Sequence, residues 1–253
     1  MRKHIISLLT LLIISFSLSA QDRYELQFDT LTVKKGYIFQ NNHTLYMAYQ
    51  FIYPTNDTTP IAKIKSQIIR DFFSDEEETD LIPLDIAQKQ YEKGIIDDVM
   101  SNEPIEKATY SLGQISEEQY SAVRIVNNKV LVFMVQNYWH RGWLPHGGAM
   151  SFLTNYDLST GSNITLDNLF NAEYKIQLLA LVNKSLREQY NIPNDFAEVD
   201  WLPENFMILP KGLKFYFNEY EIAPYSYGRI DATIKYSEFK HLLKSQATSY
   251  FHE

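Results

Sequence analysis

Apolar residues in the first half of the chain follow two different periods. Positions 24–28 alternate apolar with polar residues over a short stretch, and positions 45–53 alternate over a longer one, which predicts two β-strands. Several residues between the apolar positions of the longer run are themselves apolar, so we expect that strand to be covered on both faces. From Thr59-Pro60 onward, isoleucines and a phenylalanine recur at spacings of three and four, which predicts an amphipathic helix over 60–73. A weaker helix is predicted over 83–100.

The second half of the chain is organised as short strands separated by turn residues. Residues 121–138 predict a hairpin joined at Asn127-Asn128, because asparagine tolerates the positive φ of a tight turn. Further strands are predicted at 150–158, 164–166, 207–209, 213–218 and 230–234, and helices at 167–190 and 236–243. Meandering strands with helices set between them are typical of an α+β fold.

We therefore predict an α+β protein with two packed subdomains, each an antiparallel or mixed sheet with one or two helices. The predicted subdomains are residues 21–145 and 146–253. The connection between them is aromatic and not rich in serine or glycine, so we expect the two to pack together and not to move as beads on a linker.

The first 20 residues have the features of a secretory signal peptide. Arg2-Lys3 provides a basic start, and the apolar run that follows is shorter than the ~20 residues that span a bilayer. Ser19-Ala20 offers small residues for cleavage after Ala20 or after Ser19, and an uncleaved anchor is the alternative. Cleavage near Ala20 predicts a bacterial periplasmic or secreted protein, with no membrane span in the mature chain.

Composition narrows the classes of function. The chain has no cysteine, so disulfides, thiolate metal sites and a lipid anchor on cysteine are excluded. It carries 23 basic and 31 acidic residues, a net charge of −8. Loss of Arg2 and Lys3 with the signal peptide leaves 21 basic residues and a net of −10. This charge argues against nucleic acid and against anionic lipid as partners, and it is compatible with a basic protein.

The link between the two halves concentrates residue types that are common at binding hot spots. Its candidate binding residues are Trp139, His140, Arg141, Trp143 and His146. The alternative is that the two tryptophans fill the seam between the halves. We predict no metal site and no cofactor, because structural zinc needs four ligands and no carboxylate lies within this link.

Residues 217–228, FNEYEIAPYSYG, form the second candidate. Its candidate binding residues are Tyr220, Glu221, Tyr225 and Tyr227. The tyrosines suit a sugar or protein contact, and they equally suit a stiff loop in which Glu221 accepts backbone hydrogen bonds. A glycosidase would need a second carboxylate facing Glu221, for which Asp157, Asp167 and Glu219 are available, but no motif marks one.

Five segments over residues 146–243 resemble a known extracytoplasmic domain family. They are His146–Ala149, Tyr156–Gly161, Ile164–Phe170, Leu209–Asn218, and Tyr220–Tyr225 followed by Gly228. The family is that of the lysozyme-sensing domain of RsiV-type anti-sigma factors, which also occurs beside the deacetylase module of PdaC-type peptidoglycan deacetylases. This chain has Met150-Ser151 where that family usually has His-Pro, so no role of that histidine is carried over.

The resemblance implies the binding or sensing part of such proteins. We therefore expect an exported cell-envelope module, non-enzymatic, that binds a lysozyme-like basic protein. The alternatives are a protein that binds peptidoglycan or another carbohydrate, and a hydrolase of wall glycans.

Overall fold

The computed structural model describes residues 26–39, 44–73, 82–102, 114–142, 144–190 and 198–252. The predicted signal peptide and Trp143 lie outside the described residues. Within these ranges the chain forms, in order, β1 (Phe28–Ile38), β2 (Thr44–Pro54), α1 (Thr59–Phe73), α2 (Leu84–Asn102), β3 (Ile115–Val126), β4 (Val130–His140), β5 (Gly148–Asp157), α3 (Leu166–Leu169), α4 (Tyr174–Gln189), β6 (Phe206–Leu209), β7 (Gly212–Phe217), β8 (Ile230–Lys235) and α5 (Tyr236–Phe239).

The strands form two sheets, which confirms the predicted α+β class. A five-stranded mixed sheet has the order β1-β2-β3-β4-β5, and a three-stranded antiparallel sheet has the order β6-β7-β8. β1 and β2 are antiparallel, whereas β2 and β3 are parallel. The parallel pair requires a crossover, which α1 and α2 provide. None of the helices in the described residues is long and apolar enough to cross a membrane.

The chain divides into two compact units. The first contains the described residues up to Ala122 together with those of Val135–Gly148, and the second contains Val123–Met134 together with the described residues from Ala149 onward. The strands β3 and β4 thus contribute residues to both units. The boundary that we predicted between 145 and 146 stays a prediction.

The first unit is built around an aromatic cluster. Tyr49 and Phe51 of β2 meet Phe72 and Phe73 of α1 and Tyr91 of α2, with ring centroids 4.8–6.4 Å apart in the β2 contacts. The isoleucines of α1 are buried as the spacing of three and four predicted. β2 is therefore largely covered, as its nearly continuous apolar sequence indicated.

The second unit has the larger continuous core. α4 packs on β8, and Ser185 of the helix donates a hydrogen bond to the carbonyl of Thr233 at 3.1 Å. The buried phenylalanines Phe215 and Phe217 of β7 lie in this core and are fully inaccessible. This core supports the segments on which the candidate site lies.

The single helix predicted over 167–190 is wrong. The structure has two helices, α3 and α4, separated by a break in which Phe170 forms a bridge with Leu243 and Glu173 adopts a φ of +66°. α3 ends where Phe170 becomes extended, and the left-handed Glu173 is the N-cap of α4, so the second helix starts with a different phase. Ile176, which would lie on the apolar face of one continuous helix over 167–190, is 82% exposed as a result.

Two strand predictions also need correction. The first strand is β1, which begins at Phe28 and continues to Ile38. Of the strand predicted over 24–28, residues 26 and 27 are not in a strand, and residues 24 and 25 lie outside the described residues. Residues 164–166 are not a strand, since only a single bridge joins Tyr156 to Asn163. Thr165 instead caps α3, and its side chain accepts a hydrogen bond from the backbone of Asn168 at 3.2 Å.

Candidate functional site

Arg141, in the link between β4 and β5, is held by ion pairs within the first unit. The Arg141 guanidinium forms an ion pair with Glu117 of β3 and a second, at 3.4 Å, with Asp98 of α2. The Arg141 side chain is only 18% exposed. Burial raises the pKa of Glu117, an effect that the positive charge of Arg141 only partly offsets. Arg141 thus fastens the link to two neighbouring elements of the first unit.

Trp139 is also engaged by the fold. A Cβ added at Gly148 would lie 2.1 Å from Cζ2 of the Trp139 ring, so the ring occupies the space that a side chain would need. His140 is half-buried at the end of β4, and His146 is exposed with its Nδ1 2.8 Å from the carbonyl of Gly147. Among the described residues no group of three or more histidines and carboxylates could hold a metal ion.

The second predicted group lies in the segment that we call the tyrosine loop, residues 218–228. Glu221 folds back onto Asn218, and its carboxylate accepts hydrogen bonds from the Asn218 backbone N–H at 3.0 Å and from the Asn218 side-chain amide at 3.3 Å. The backbone N–H of Glu221 in turn donates to the Asn218 carbonyl at 3.2 Å. Glu221 therefore accepts a backbone bond at the bend, as its position in the sequence suggested.

Side chains fix the base of the tyrosine loop to β5, the last strand in the order of the large sheet. The backbone N–H of Ser151 donates to Oδ1 of Asn218 at 2.7 Å, and the N–H of Ala149 donates to Oε2 of Glu219 at 3.2 Å. Asn218 is buried. The edge of a strand thus finds hydrogen-bond partners in side chains at the start of the loop.

The tip of the loop presents aromatic rings to solvent. Tyr220 is 62% exposed, Tyr227 is 42% exposed, and the rings of Tyr220 and Tyr225 stack with centroids 5.8 Å apart. Tyr220 adopts a φ of +67°, a conformation that costs a residue with a Cβ about 1–2 kcal/mol. Tyr220 therefore holds an exposed aromatic ring on a backbone conformation that is strained for a residue with a Cβ.

Beside the loop lies a depression of about 420 Å³, which we call the acidic hollow. It is lined by Glu198, Val199, Asp200, Trp201, Tyr220, Glu221, Ile222, Ala223 and Pro224. Three of these described residues are carboxylates and none is basic. Glu198 pairs with Arg187 at 2.7 Å, while Asp200 has no hydrogen bond or ion pair within the described part of the chain.

A larger depression of about 840 Å³, which we call the long groove, adjoins the hollow and shares Asp200 and Trp201 with it. One wall comes from β5, with Phe152 48% exposed, and another from the start of α4. Trp201 is 43% exposed and packs edge to face on Phe217 with ring centroids 5.6 Å apart. Volumes of this size are typical of ligand sites.

Sequence reasoning missed Phe152 and Trp201. A signal for Trp201 was available, because a tryptophan beside Asp200 and before Leu202-Pro203 is an aromatic residue in a segment with neither helical nor strand periodicity. Phe152 gave no comparable signal, since a phenylalanine in a strand is usually core.

The carboxylates that could have paired with Glu221 in a hydrolase have partners within the fold. Asp157 caps the turn after β5 by accepting from the Ser159 backbone at 2.7 Å, Asp167 accepts from the Tyr174 hydroxyl at 2.8 Å, and Glu219 holds β5. These contacts give each carboxylate a structural role.

Comparison with known proteins places the fold. Residues 167–237 match the family described as protein of unknown function (DUF3298). No curated protein sequence matches the chain. The fold is similar to that of a DUF3298 family member from Bacteroides fragilis NCTC 9343, with a TM-score of 0.76, 20% identity, and coverage of 90% of this chain and 98% of that one.

A DUF3298 family protein from Pseudomonas aeruginosa PAO1 is similar as well, with a TM-score of 0.67, 16% identity, and coverage of 91% of this chain and 99% of that one. At these identities the likeness concerns the fold. The chain therefore has the fold of solved DUF3298 proteins, and its residues 167–237 match that family.

Proposed function

We propose that this protein is an exported, non-enzymatic binding or sensing module of the bacterial cell envelope, and that its partner is a basic protein of the lysozyme type. The tyrosine loop and the acidic hollow form the contact surface in this proposal. The resemblance to the RsiV-type sensing domain supports it, since the tyrosine loop is one of the segments that carry that resemblance.

One observation carries the proposal. Tyr220 holds an exposed ring on a left-handed backbone, next to a hollow with three carboxylates and no basic side chain among its described lining residues. Exposed tyrosine provides a large contact area at a low cost in side-chain entropy. The carboxylates provide the charge that a cationic partner would complement.

The overall charge favours the same class of partner. A chain with a net charge of −8, or −10 without its first 20 residues, attracts a cationic protein and so raises the rate of association. Salt weakens this attraction, since the screening length falls from ~10 Å at 0.1 M to ~3 Å at 1 M ionic strength.

A second candidate is a glycan of the cell envelope. The exposed rings of Phe152 and Trp201 in the long groove favour it, because apolar sugar faces stack on aromatic rings, and the amides of Asn163 and Asn205 line the same groove.

Calorimetric titration of a cationic lysozyme into the folded protein, at about 0.1 M and about 1 M salt, tests the first candidate. We expect binding that weakens with salt and that is reduced at least tenfold by Tyr220→Ala. Tyr120→Ala is the matched control, because Tyr120 is an exposed tyrosine on β3, outside the loop. An absence of heat at both salt concentrations removes the proposal, and heat that appears only with peptidoglycan fragments transfers the function to the glycan.

A further inference from the structure

The fold fixes one side of Trp201 and leaves the rest of the ring accessible. Phe217, which is fully buried, meets the indole edge to face at 5.6 Å. The core therefore sets the orientation of the ring, although Trp201 itself is 43% exposed. An oriented indole is the best aromatic partner for an organic cation.

The long groove beside this ring carries a negative charge. Asp167, Asp200 and Glu204 line it, and Lys175 is the one basic side chain among its described lining residues. Within the described ranges Asp200 and Glu204 form no hydrogen bond or ion pair, so no neighbouring cation neutralises them.

Besides burial, two carboxylates of the groove raise the pKa of Tyr174. Burial raises the pKa of this tyrosine, and its hydrogen bond to Asp167 and the charges of Asp167 and Glu204 raise it further. Two carboxylates of the groove thus act on one hydroxyl, which places their negative charge in the same region.

Part of the groove wall is apolar. Phe152 is 48% exposed on β5 and Ile176 is 82% exposed on α4, and the partly buried Leu179 lies between core and groove. Lysine and arginine have apolar stems that lie along such surfaces while the charged head seeks polar groups. The groove offers such a side chain an apolar surface for its stem and carboxylates for its charged head.

We infer that the long groove is a subsite for one lysine or arginine side chain of the basic partner, with its stem along the apolar wall and its charged head beside the Trp201 ring and the carboxylates. This inference rests on the proposed function and deepens it, because it assigns a second contact region to the same partner. An anion would meet like charge here, and a neutral ligand would leave Asp200 and Glu204 without a counter-charge.

Four variants of the intact protein test this subsite in lysozyme titrations. We expect Trp201→Leu to weaken binding about tenfold and Trp201→Phe to weaken it less, since phenylalanine keeps a smaller π face. Asp200→Asn combined with Glu204→Gln should weaken binding about tenfold and reduce its salt dependence. Glu188→Gln is the matched control, because Glu188 is an exposed carboxylate that lines neither depression.

A second measurement does not depend on lysozyme. A tetra-arginine peptide should change the tryptophan fluorescence of the wild-type protein, and Trp201→Phe should remove that change. If lysozyme does not bind but the peptide gives this signal, the subsite stands and the proposed partner fails.

If lysozyme binds the Trp201→Leu and wild-type proteins equally, and Tyr220→Ala alone weakens binding, the groove subsite is overturned and the proposed function survives. If spermidine binds more tightly than the peptide, the groove is a site for a free polyamine. If a neutral N-acetylglucosamine oligomer binds and neither cation does, the groove is a site for a glycan. Either result overturns the side-chain subsite. Thermal unfolding of each variant confirms that folded protein is compared.

Discussion

The backbone strain at Tyr220 allows the roles of its ring and its backbone to be separated by two substitutions. Tyr220→Ala removes the ring and keeps a Cβ at a φ of +67°, whereas Tyr220→Gly removes the ring and the Cβ together. The two variants thus lack the same aromatic contact, and in the folded state they differ in whether the left-handed conformation is strained. We expect the glycine variant to be the more stable of the two.

The size of that difference follows from the backbone. A left-handed conformation costs a residue with a Cβ about 1–2 kcal/mol, and glycine avoids this cost. Glycine also makes the unfolded chain more flexible, which costs about 0.4–1 kcal/mol of stability. The net expectation is that Tyr220→Gly unfolds with a free energy about 0.5–1 kcal/mol higher than Tyr220→Ala.

Relative to the wild type, both variants lose the stacked contact with Tyr225. Aromatic pairs contribute about 0.5–1.5 kcal/mol, and the value at this site should fall at the low end because the Tyr220 ring is 62% exposed. We therefore expect Tyr220→Gly to stay within about 1 kcal/mol of the wild type, since the relieved strain offsets the lost contact.

Urea unfolding followed by circular dichroism measures these free energies, and lysozyme titration of the same samples measures binding. Our reasoning requires both variants to lose binding at least tenfold while the glycine variant keeps wild-type stability. A glycine variant that is no more stable than the alanine variant would show that the backbone stores no strain. A glycine variant that binds normally would show that the ring does not contact the partner.

Three further predictions concern the scaffold and use the same unfolding assay. The fully buried side-chain amide of Asn155 donates a hydrogen bond to one C=O of β6 and accepts one from an N–H of the same strand, at 2.8 Å each. Asn155→Ala should therefore lower the free energy of unfolding by about 2–4 kcal/mol, and a loss below about 1 kcal/mol would contradict this role. Gly148→Ala should cost about 1–3 kcal/mol by driving a Cβ into Trp139, while the control Gly94→Ala, in open space on α2, should stabilise by about 0.5–1 kcal/mol. Burial alone would raise the pKa of Asp157, but hydrogen bonds from the following turn and from a tyrosine hydroxyl outweigh burial and lower the pKa. The stability advantage of the wild type over Asp157→Asn should therefore be complete above pH ~3.8 and disappear as the pH falls below that value. An advantage that grows on acidification would contradict this prediction.

Local sequence patterns predicted the elements whose determinants lie within one segment. The turn at Asn127-Asn128 is an example, because both asparagines adopt the expected positive φ, at +53° and +55°. The amphipathic period over 60–73 gave α1 to within one residue, since six of its apolar residues are buried on one face. In both cases neighbouring residues alone decide the conformation.

Elements that depend on distant contacts were not predictable in this way. The helix expected over 167–190 breaks because Phe170 pairs with Leu243, and no local pattern indicates a partner more than seventy residues away. β1 is a different case, because Thr30-Leu31-Thr32-Val33-Lys34 alternates polar with apolar residues. Its local signal was therefore available, and the prediction over 24–28 missed it.

The candidate site was predicted in part for the same reason. The tyrosine loop is contiguous in sequence, so its aromatic and acidic content was visible. The acidic hollow joins residues 198–201 to the tyrosine loop, and the long groove joins β5, residues 163–167, α4 and residues 200–206, so both bring together segments that are apart in the chain. Trp201 packs edge to face against Phe217 of β7, and only the fold brings these two residues together.

The way in which the tyrosine loop is held bears on how it would bind a partner. Its base is fixed by the buried Asn218 and by Glu219 to the backbone of β5, and Glu221 closes the bend onto Asn218. A loop ordered before binding loses little further conformational entropy on association, so more of the contact energy is available as affinity. The strain at Tyr220 can persist because these bonds determine the backbone around it. The same hydrogen bonds that make Glu221 look structural therefore support a binding role for the neighbouring tyrosine, and the two interpretations of the loop are compatible.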